Sequence, residues 1–104
     1  MRAIRPGVAV SALHELGVET VRAAGIPHYR RHHVGHAIGL EMYEAPLLAH
    51  AASDGAGDMS IAEGMVLNIE LPYYELGRGG LQLEETLVVG RDGVQLLTAA
   101  SREL

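Results

Sequence analysis

Four of the six histidines of this chain fall within nine positions, at His28, His32, His33 and His36. Imidazole titrates nearest neutral pH and is the commonest nitrogen donor to transition metals, so a cluster this dense marks a place for chemistry. Two carboxylates extend the set. An extended Met65–Leu71 puts Met65, Leu67, Ile69 and Leu71 on one side and Val66, Asn68 and Glu70 on the other. The same alternation over Leu81–Val89 groups Gln82, Glu84, Thr86 and Val88. If the two strands are neighbours in one sheet, Glu70 and Glu84 converge. Paired like charges require a cation, a shared proton or strong donors. The chain has no lysine, and Arg78 and Arg91, the arginines nearest in sequence, belong to turns. A divalent metal bound together with a histidine from residues 32–36 is the simplest remedy, and such donors suit Mn, Co, Fe or Zn. The competing reading is ordinary surface glutamates beside solvated histidines, and spacing alone leaves both open.

The elements that must position these residues are partly legible. Ser11 is the expected N-cap of a helix over about 10–24, with Leu13, Leu16, Thr20/Val21 and Ala24 at helical spacing. Glu15 in its first turn and Arg22 in its last suit the helix dipole. Gly25 provides the stop, and Pro27 prevents resumption. Residues 26–50 read as irregular, apart from an extended path through 29–35. Residues 51–60 are small and polar and read as a surface loop. A second, short helix fits somewhere in 46–64. Strands over 65–71 and 81–89 follow, with a turn at Arg78-Gly79-Gly80. Asp92-Gly93 signals a hairpin that returns Val94–Thr98. The expected fold class is α+β, with one long helix and an antiparallel sheet of about four strands.

Composition narrows the function. The 104 residues make one small domain at most. Eight arginines against 13 acidic residues leave a net charge of −5, too little cationic surface for a nucleic-acid or anionic-membrane binder. With no cysteine, disulfides, thiolate metal sites and cysteine nucleophiles are excluded. No apolar run approaches the roughly 20 residues of a membrane span, and no secretory signal is evident. A soluble, cytoplasmic protein is the default expectation. Phe and Trp are absent, so the core falls to Leu, Val, Ile, Met and Ala.

Three ordered motifs carry a resemblance. His32-His33-Val34-Gly35-His36-Ala37-Ile38-Gly39-Leu40-Glu41-Met42-Tyr43-Glu44-Ala45-Pro46 resembles the H-x-x-G-H-G-I-G-L-x-x-H-E-x-P signature of the pita-bread metallopeptidases. That family includes methionine aminopeptidase, Xaa-Pro aminopeptidase, prolidase and creatinase. Glu63-Gly64-Met65-Val66-Leu67-Asn68-Ile69-Glu70 resembles its E-G-M-V-F-T-I-E-P strand. Gly80-Leu81-Gln82-Leu83-Glu84-Glu85-Thr86-Leu87-Val88-Val89 resembles G-V-R-I-E-D-T-V-L-V. The likeness runs from about Ile4 to Leu97.

The resemblance implies hydrolysis of a peptide or related amide bond at two divalent ions drawn from Mn, Co, Zn and Fe. It assigns His36, Glu70 and Glu84 as metal ligands, with Glu84 bridging and Glu70 also moving a proton. His32 falls near the substrate, so Glu70 and His32 are the catalytic candidates and His32 and Tyr43 the substrate-facing ones. Asn68, Gln82 and Thr86 are placed to orient the carboxylates. His33 is expected as a packing or surface neighbour, and His14, His28 and His50 as surface residues. Glu85 points to the opposite face and is expected to be solvated or salt-bridged. Tyr73-Tyr74 is expected to cap a strand edge, with the rim of a pocket as the alternative.

Departures from the signature shape the expectation. The family's two aspartate ligands precede the histidine, whereas here only Glu15 and Glu19 do so, and Asp54 and Asp58 come later. The chain therefore reads as the C-terminal half of a pita-bread domain over 1–104, inactive alone. A lone half exposes an apolar sheet face or edge suited to a homodimer. Tyr43 stands where many relatives have a histidine, which leaves room for a non-peptide amide as in the creatinase branch. Ala37 replaces a glycine, and Pro72 is shifted by one position. A non-catalytic metal-binding or interaction module is the alternative.

Overall fold

The structure is a computed structural model that describes residues 1–50, 58–98 and 101. The expected loop at 51–60 lies, over 51–57, outside those residues, as does Asp54. Helix α1 runs Val10–Ala23. Its end is as expected: Gly25 adopts φ +114°, and its N–H donates to Arg22 O while Ile26 N–H donates to Val21 O. These paired bonds satisfy the last carbonyls of the helix, and Arg22 lies in the last turn.

The start of the helix differs from expectation. The cap position is Ala9, which offers no side-chain acceptor, and the first turn contains no acidic residue, so Glu15 lies beyond it. Ser11 is inside the helix. Its N–H and its hydroxyl both donate to Asp58, at 3.0 and 2.5 Å. A carboxylate 47 residues away thus does what a local N-cap does. The segment carrying Asp58 is held there by backbone bonds, Val10 N–H to Met59 O and Gly7 N–H to Ile61 O, both 2.8 Å.

Among the described residues seven strands follow: β1 His33–Ala37, β2 Glu44–Ala49, β3 Val66–Glu70, β4 Tyr73–Glu75, β5 Gly79–Leu81, β6 Glu84–Gly90 and β7 Gly93–Leu96. Five form an antiparallel sheet in the order β2-β1-β3-β6-β7, and β4 and β5 form a separate ribbon. The sheet therefore has one strand more than expected. The extra strand is β2, at an edge, where the missing N–H of Pro46 is tolerated. No short helix occurs among the described residues of 46–64. The expected strand over 81–89 is interrupted at Gln82-Leu83, and the preceding turn spans 76–78 rather than 78–80. Tyr73 and Tyr74 lie in β4, paired with β5, rather than capping an edge.

The helix packs on β1 and β2. It buries Val10, Leu13, His14 and Val18, while Leu16, expected inward, is 48% exposed. Leu48, Ile61, Leu67, Leu87 and Val89 make the driest part of the core. Gly17 permits the close approach, because a Cβ there would lie 3.1 Å from Val34 Cγ1 and 3.3 Å from Leu71 Cδ2. Among the described residues no helix is long and apolar enough to cross a membrane.

Two outcomes follow from this packing. Leu67→Ala is expected to destabilise the fold by about 3 kcal/mol in urea unfolding, the usual cost of emptying a leucine site in a tight core. The two bonds from Ser11 hold the Asp58 carboxyl below its ordinary 3.8. A depressed carboxyl stabilises the fold above its unfolded value and loses that contribution as pH falls through the folded value. Asp58→Ala therefore lowers the melting temperature at pH 7, and the gap to wild type closes as the pH is taken well below 3.8.

Candidate active site

The register between strands decides which side chains meet. Glu70 of β3 pairs directly with Glu84 of β6, and Asn68 pairs with Thr86. On the other edge of β3, His36 of β1 pairs with Asn68. Directly paired residues share a face of the sheet. His36, Asn68 and Thr86 thus form one row across three strands, and Glu70 and Glu84 form the next row on the same face. His36 and Glu70 are diagonal neighbours, a relation that places Cα atoms roughly 7–8 Å apart. The expected convergence of the two glutamates is present in the fold.

Each carboxylate has its own partners. Glu70 is buried, and its Oε1 lies 2.8 Å from His33 Nε2 while its Oε2 lies 3.8 Å from Arg31 Nη2. Glu84 is exposed. Its Oε2 accepts from Asn68 Nδ2 at 2.9 Å, and its Oε1 accepts from Gln82 Nε2. Thr86 Oγ1 donates to Asn68 Oδ1 at 3.3 Å, which orients the amide toward Glu84. Tyr74 in turn donates its hydroxyl to Gln82 Oε1. Asn68, Gln82 and Thr86 are thus linked to Glu84, as the period-two pattern suggested.

His36 is buried under the ring of Tyr43, with centroids 4.1 Å apart and planes at 37°. Its Nδ1 lies 2.9 Å from the Ala37 carbonyl. A carbonyl only accepts, so the proton sits on Nδ1 and the lone pair on Nε2, the arrangement that presents a histidine to a metal. His32 is exposed and edge-on to His33, with Nδ1 atoms 3.5 Å apart. Gly35 lets β1 reach this position, because a Cβ there would lie 2.2 Å from Asn68 O.

Several residues stand elsewhere than expected. His33, expected as a packing or surface neighbour, holds Glu70 together with Arg31, which the sequence pattern did not single out. An irregularity in the pairing of β1 with β2, between His33 and His36, goes with this placement. Glu85 is on the opposite face, but it is buried rather than solvated and accepts from Thr98 Oγ1 at 2.7 Å. His14 is buried, with Nε2 2.9 Å from Arg31 O. His28 and His50 are exposed as expected. Asp58 serves the helix and not this site.

One imidazole nitrogen and two carboxylates are a donor set for a divalent transition ion. The described residues do not gather three His, Asp or Glu side chains around one point. His36, Glu70 and Glu84 share a face, yet both carboxylates are occupied by protein donors.

The pattern of metallopeptidase family M24 matches residues 1–91. The Xaa-Pro dipeptidase of Pyrococcus furiosus is 31% identical over 104 residues, all of this chain and 28% of that relative. The Xaa-Pro dipeptidase of Lactobacillus delbrueckii subsp. lactis is 33% identical over 102 residues, 98% of this chain and 26% of that relative. In structure, dipeptidase PepE from Mycobacterium ulcerans superposes with a TM-score of 0.85 at 29% identity, covering 99% of this chain and 26% of that one. Prolidase from Pyrococcus furiosus gives 0.83 at 30% identity, covering 97% and 28%. The chain thus spans little more than a quarter of the relatives it matches, and its fold is that of the pita-bread prolidases.

Removing the imidazole of His33 leaves buried Glu70 with only the more distant guanidinium. His33→Ala is expected to destabilise by about 2 kcal/mol in urea unfolding. In a double-mutant cycle with Glu70→Gln, the coupling should be about 1 kcal/mol or more, since the pair is in direct contact.

Proposed function

Because the chain belongs to metallopeptidase family M24, we propose that His36, Glu70 and Glu84 are its ligands to a divalent metal centre that hydrolyses peptide bonds in short peptides. Xaa-Pro dipeptides are the substrate class favoured by the relatives. In this reading residues 1–104 are the C-terminal half of a pita-bread catalytic domain. Two aspartate ligands then come from residues outside this sequence, and the chain is inactive without them. That the chain covers only 26–28% of those relatives supports this division.

The observation that carries the reading is the register: Glu70 faces Glu84 across β3 and β6, with His36 one row away on the same face. Mn, Co, Zn or Fe bound there would supply an activated water and polarise the scissile carbonyl. The protein's own part is positional. His36 offers Nε2 because Ala37 O holds its other nitrogen. Glu84 is aimed by Asn68 and Gln82. Glu70, backed by His33, is the group to move a proton, and His32 and Tyr43 face the substrate.

Tyr43 favours a second reading, in which the substrate is a non-peptide amide. Its phenol ring lies against His36, at a position where an imidazole is the family habit. A second copy of the chain is the proposed partner, through edge strand β2 and exposed Leu40, Met42 and Leu47.

Calorimetric titration of the chain with Mn²⁺ and Zn²⁺ tests the ligand set. Saturable binding should be lost in His36→Ala and Glu84→Gln, and equal binding in all three proteins overturns the assignment. In an assembly that hydrolyses an Xaa-Pro dipeptide, either substitution should lower kcat/KM by at least about a hundredfold, the upper end of what disturbing a ligand's support already does. Light scattering that shows only monomer at high concentration removes the second-copy reading.

A further inference from the structure

The end of the β1–β2 hairpin beside His36 is not closed by a regular ladder. His36 pairs with Leu47 and Ala37 with Glu44, so Ala45 and Pro46 are extra residues on β2 between those pairs. A bulge interrupts the ladder and re-aims the side chains next to it. Pro46 has no N–H to donate. Residues 38–43 then connect the strands, and burial does little to hold their tip: Leu40 is fully exposed, as are most of Met42 and Tyr43. Yet the tip has a defined place, because the Tyr43 ring lies on the buried ring of His36.

Glu44 is the group in position to hold it there. Its Oε1 accepts from Glu41 N–H at 3.0 Å, reaching from the start of β2 back into the loop. Glu41 O accepts from Gly39 N–H at 3.1 Å, so Glu41 is tied at both its amide and its carbonyl. The carboxylate also lies against the Cα of Gly39. A Cβ at Gly39 would lie 2.6 Å from Glu44 Oε2 and 2.7 Å from Oε1. The φ of Gly39 is not positive, so room for the carboxylate, and not backbone conformation, calls for glycine here. An ionised acceptor on a backbone N–H makes the stronger kind of hydrogen bond. Glu44 is, in addition, the backbone partner of Ala37, whose carbonyl holds His36 Nδ1.

We propose that Glu44 is a positioning residue for His36. Its carboxylate, seated at Gly39, accepts from Glu41 and so holds the 38–43 loop with the Tyr43 ring stacked on the imidazole. A ring on one face hinders the imidazole from turning and keeps Nε2 aimed one way, the kind of support that raises a ligand's affinity. The consequence for metal binding rests on the reading of His36 as a ligand. The seat of Tyr43 does not.

The test uses the 104-residue chain. In metal-free protein, NMR cross-relaxation between the Tyr43 and His36 ring protons reports the stack. Glu44→Ala should abolish it while the amide signals of β3 and β6 stay in place. Glu44→Gln keeps an acceptor and should keep the stack. Gly39→Ala should act like Glu44→Ala with Glu44 intact, since the added methyl group displaces the carboxylate, the far end of a flexible side chain. If Glu44→Ala retains the wild-type ring contacts, the proposal falls, and Gly39→Ala decides in the same way should that variant misfold. It falls equally if Glu44→Gln loses the stack as Glu44→Ala does. Titration of the same proteins with Zn²⁺ separates this from the ligand reading. Glu44→Ala should weaken Zn²⁺ binding about tenfold, with Glu44→Gln near wild type. Absence of binding by the wild type overturns the ligand reading, and the ring contacts still decide the seat of Tyr43. A lost stack with unchanged Zn²⁺ affinity overturns the positioning role.

Discussion

Glu70 and Glu84 face each other across β3 and β6, and the rest of the site is arranged around that pairing of like charges. The two are not equivalent. Glu70 is buried and so needs opposite charge or charge-assisted donors, which Arg31 and His33 supply. Glu84 is exposed and is oriented by the neutral amides of Asn68 and Gln82, while water screens its charge. The repulsion is thereby met on both sides from within the protein. By register, His36, Glu70 and Glu84 share one face of the sheet.

The scaffold follows from β3 being the central strand. One of its faces carries Asn68 and Glu70, and the other carries Leu67, fully buried. A strand loaded in this way has one workable register, because a slip of one residue would turn Leu67 out of the core and take Asn68 and Glu70 away from the partners that satisfy them. Two glycines let neighbours close in. Gly35 brings β1 against the Asn68 carbonyl, and Gly17 brings the helix against Val34 and Leu71. The helix is in turn fixed by Asp58, so the segment that leads into β3 also terminates α1.

Much of this was legible wherever the determinant is local. Alternation placed Glu70 and Glu84 on one face, and Gly25 and the Asp92-Gly93 hairpin marked their ends correctly. What stayed hidden depends on distant residues. Ser11 looked like a cap because nothing nearby announces Asp58. β2 was obscured by Pro46, which only an edge position accommodates. Strict alternation also could not reveal that His33, three residues before His36, reaches Glu70, because the pairing of β1 with β2 is irregular there. Histidine count drew attention to the right segment, and within it His33, expected as a packing or surface neighbour, bonds the buried carboxylate.

The distribution of arginine explains why this one segment carries so much of the electrostatics. Arg22 with Glu19 and Arg78 with Glu75 are helix- or turn-spaced surface pairs, of a kind worth at most about 1 kcal/mol. Arg91 meets Glu63 only at 3.9 Å in solvent. Among the described ion pairs Arg31 is the only arginine set against a buried carboxylate. Its backbone carbonyl also accepts from buried His14, so the same residue joins the helix to the site. In a chain without lysine, a shift of Arg31 would disturb Glu70 and the packing of His14 together. Local changes at residues 28–33 should therefore propagate further than equal changes anywhere on the outer hairpin of β6 and β7.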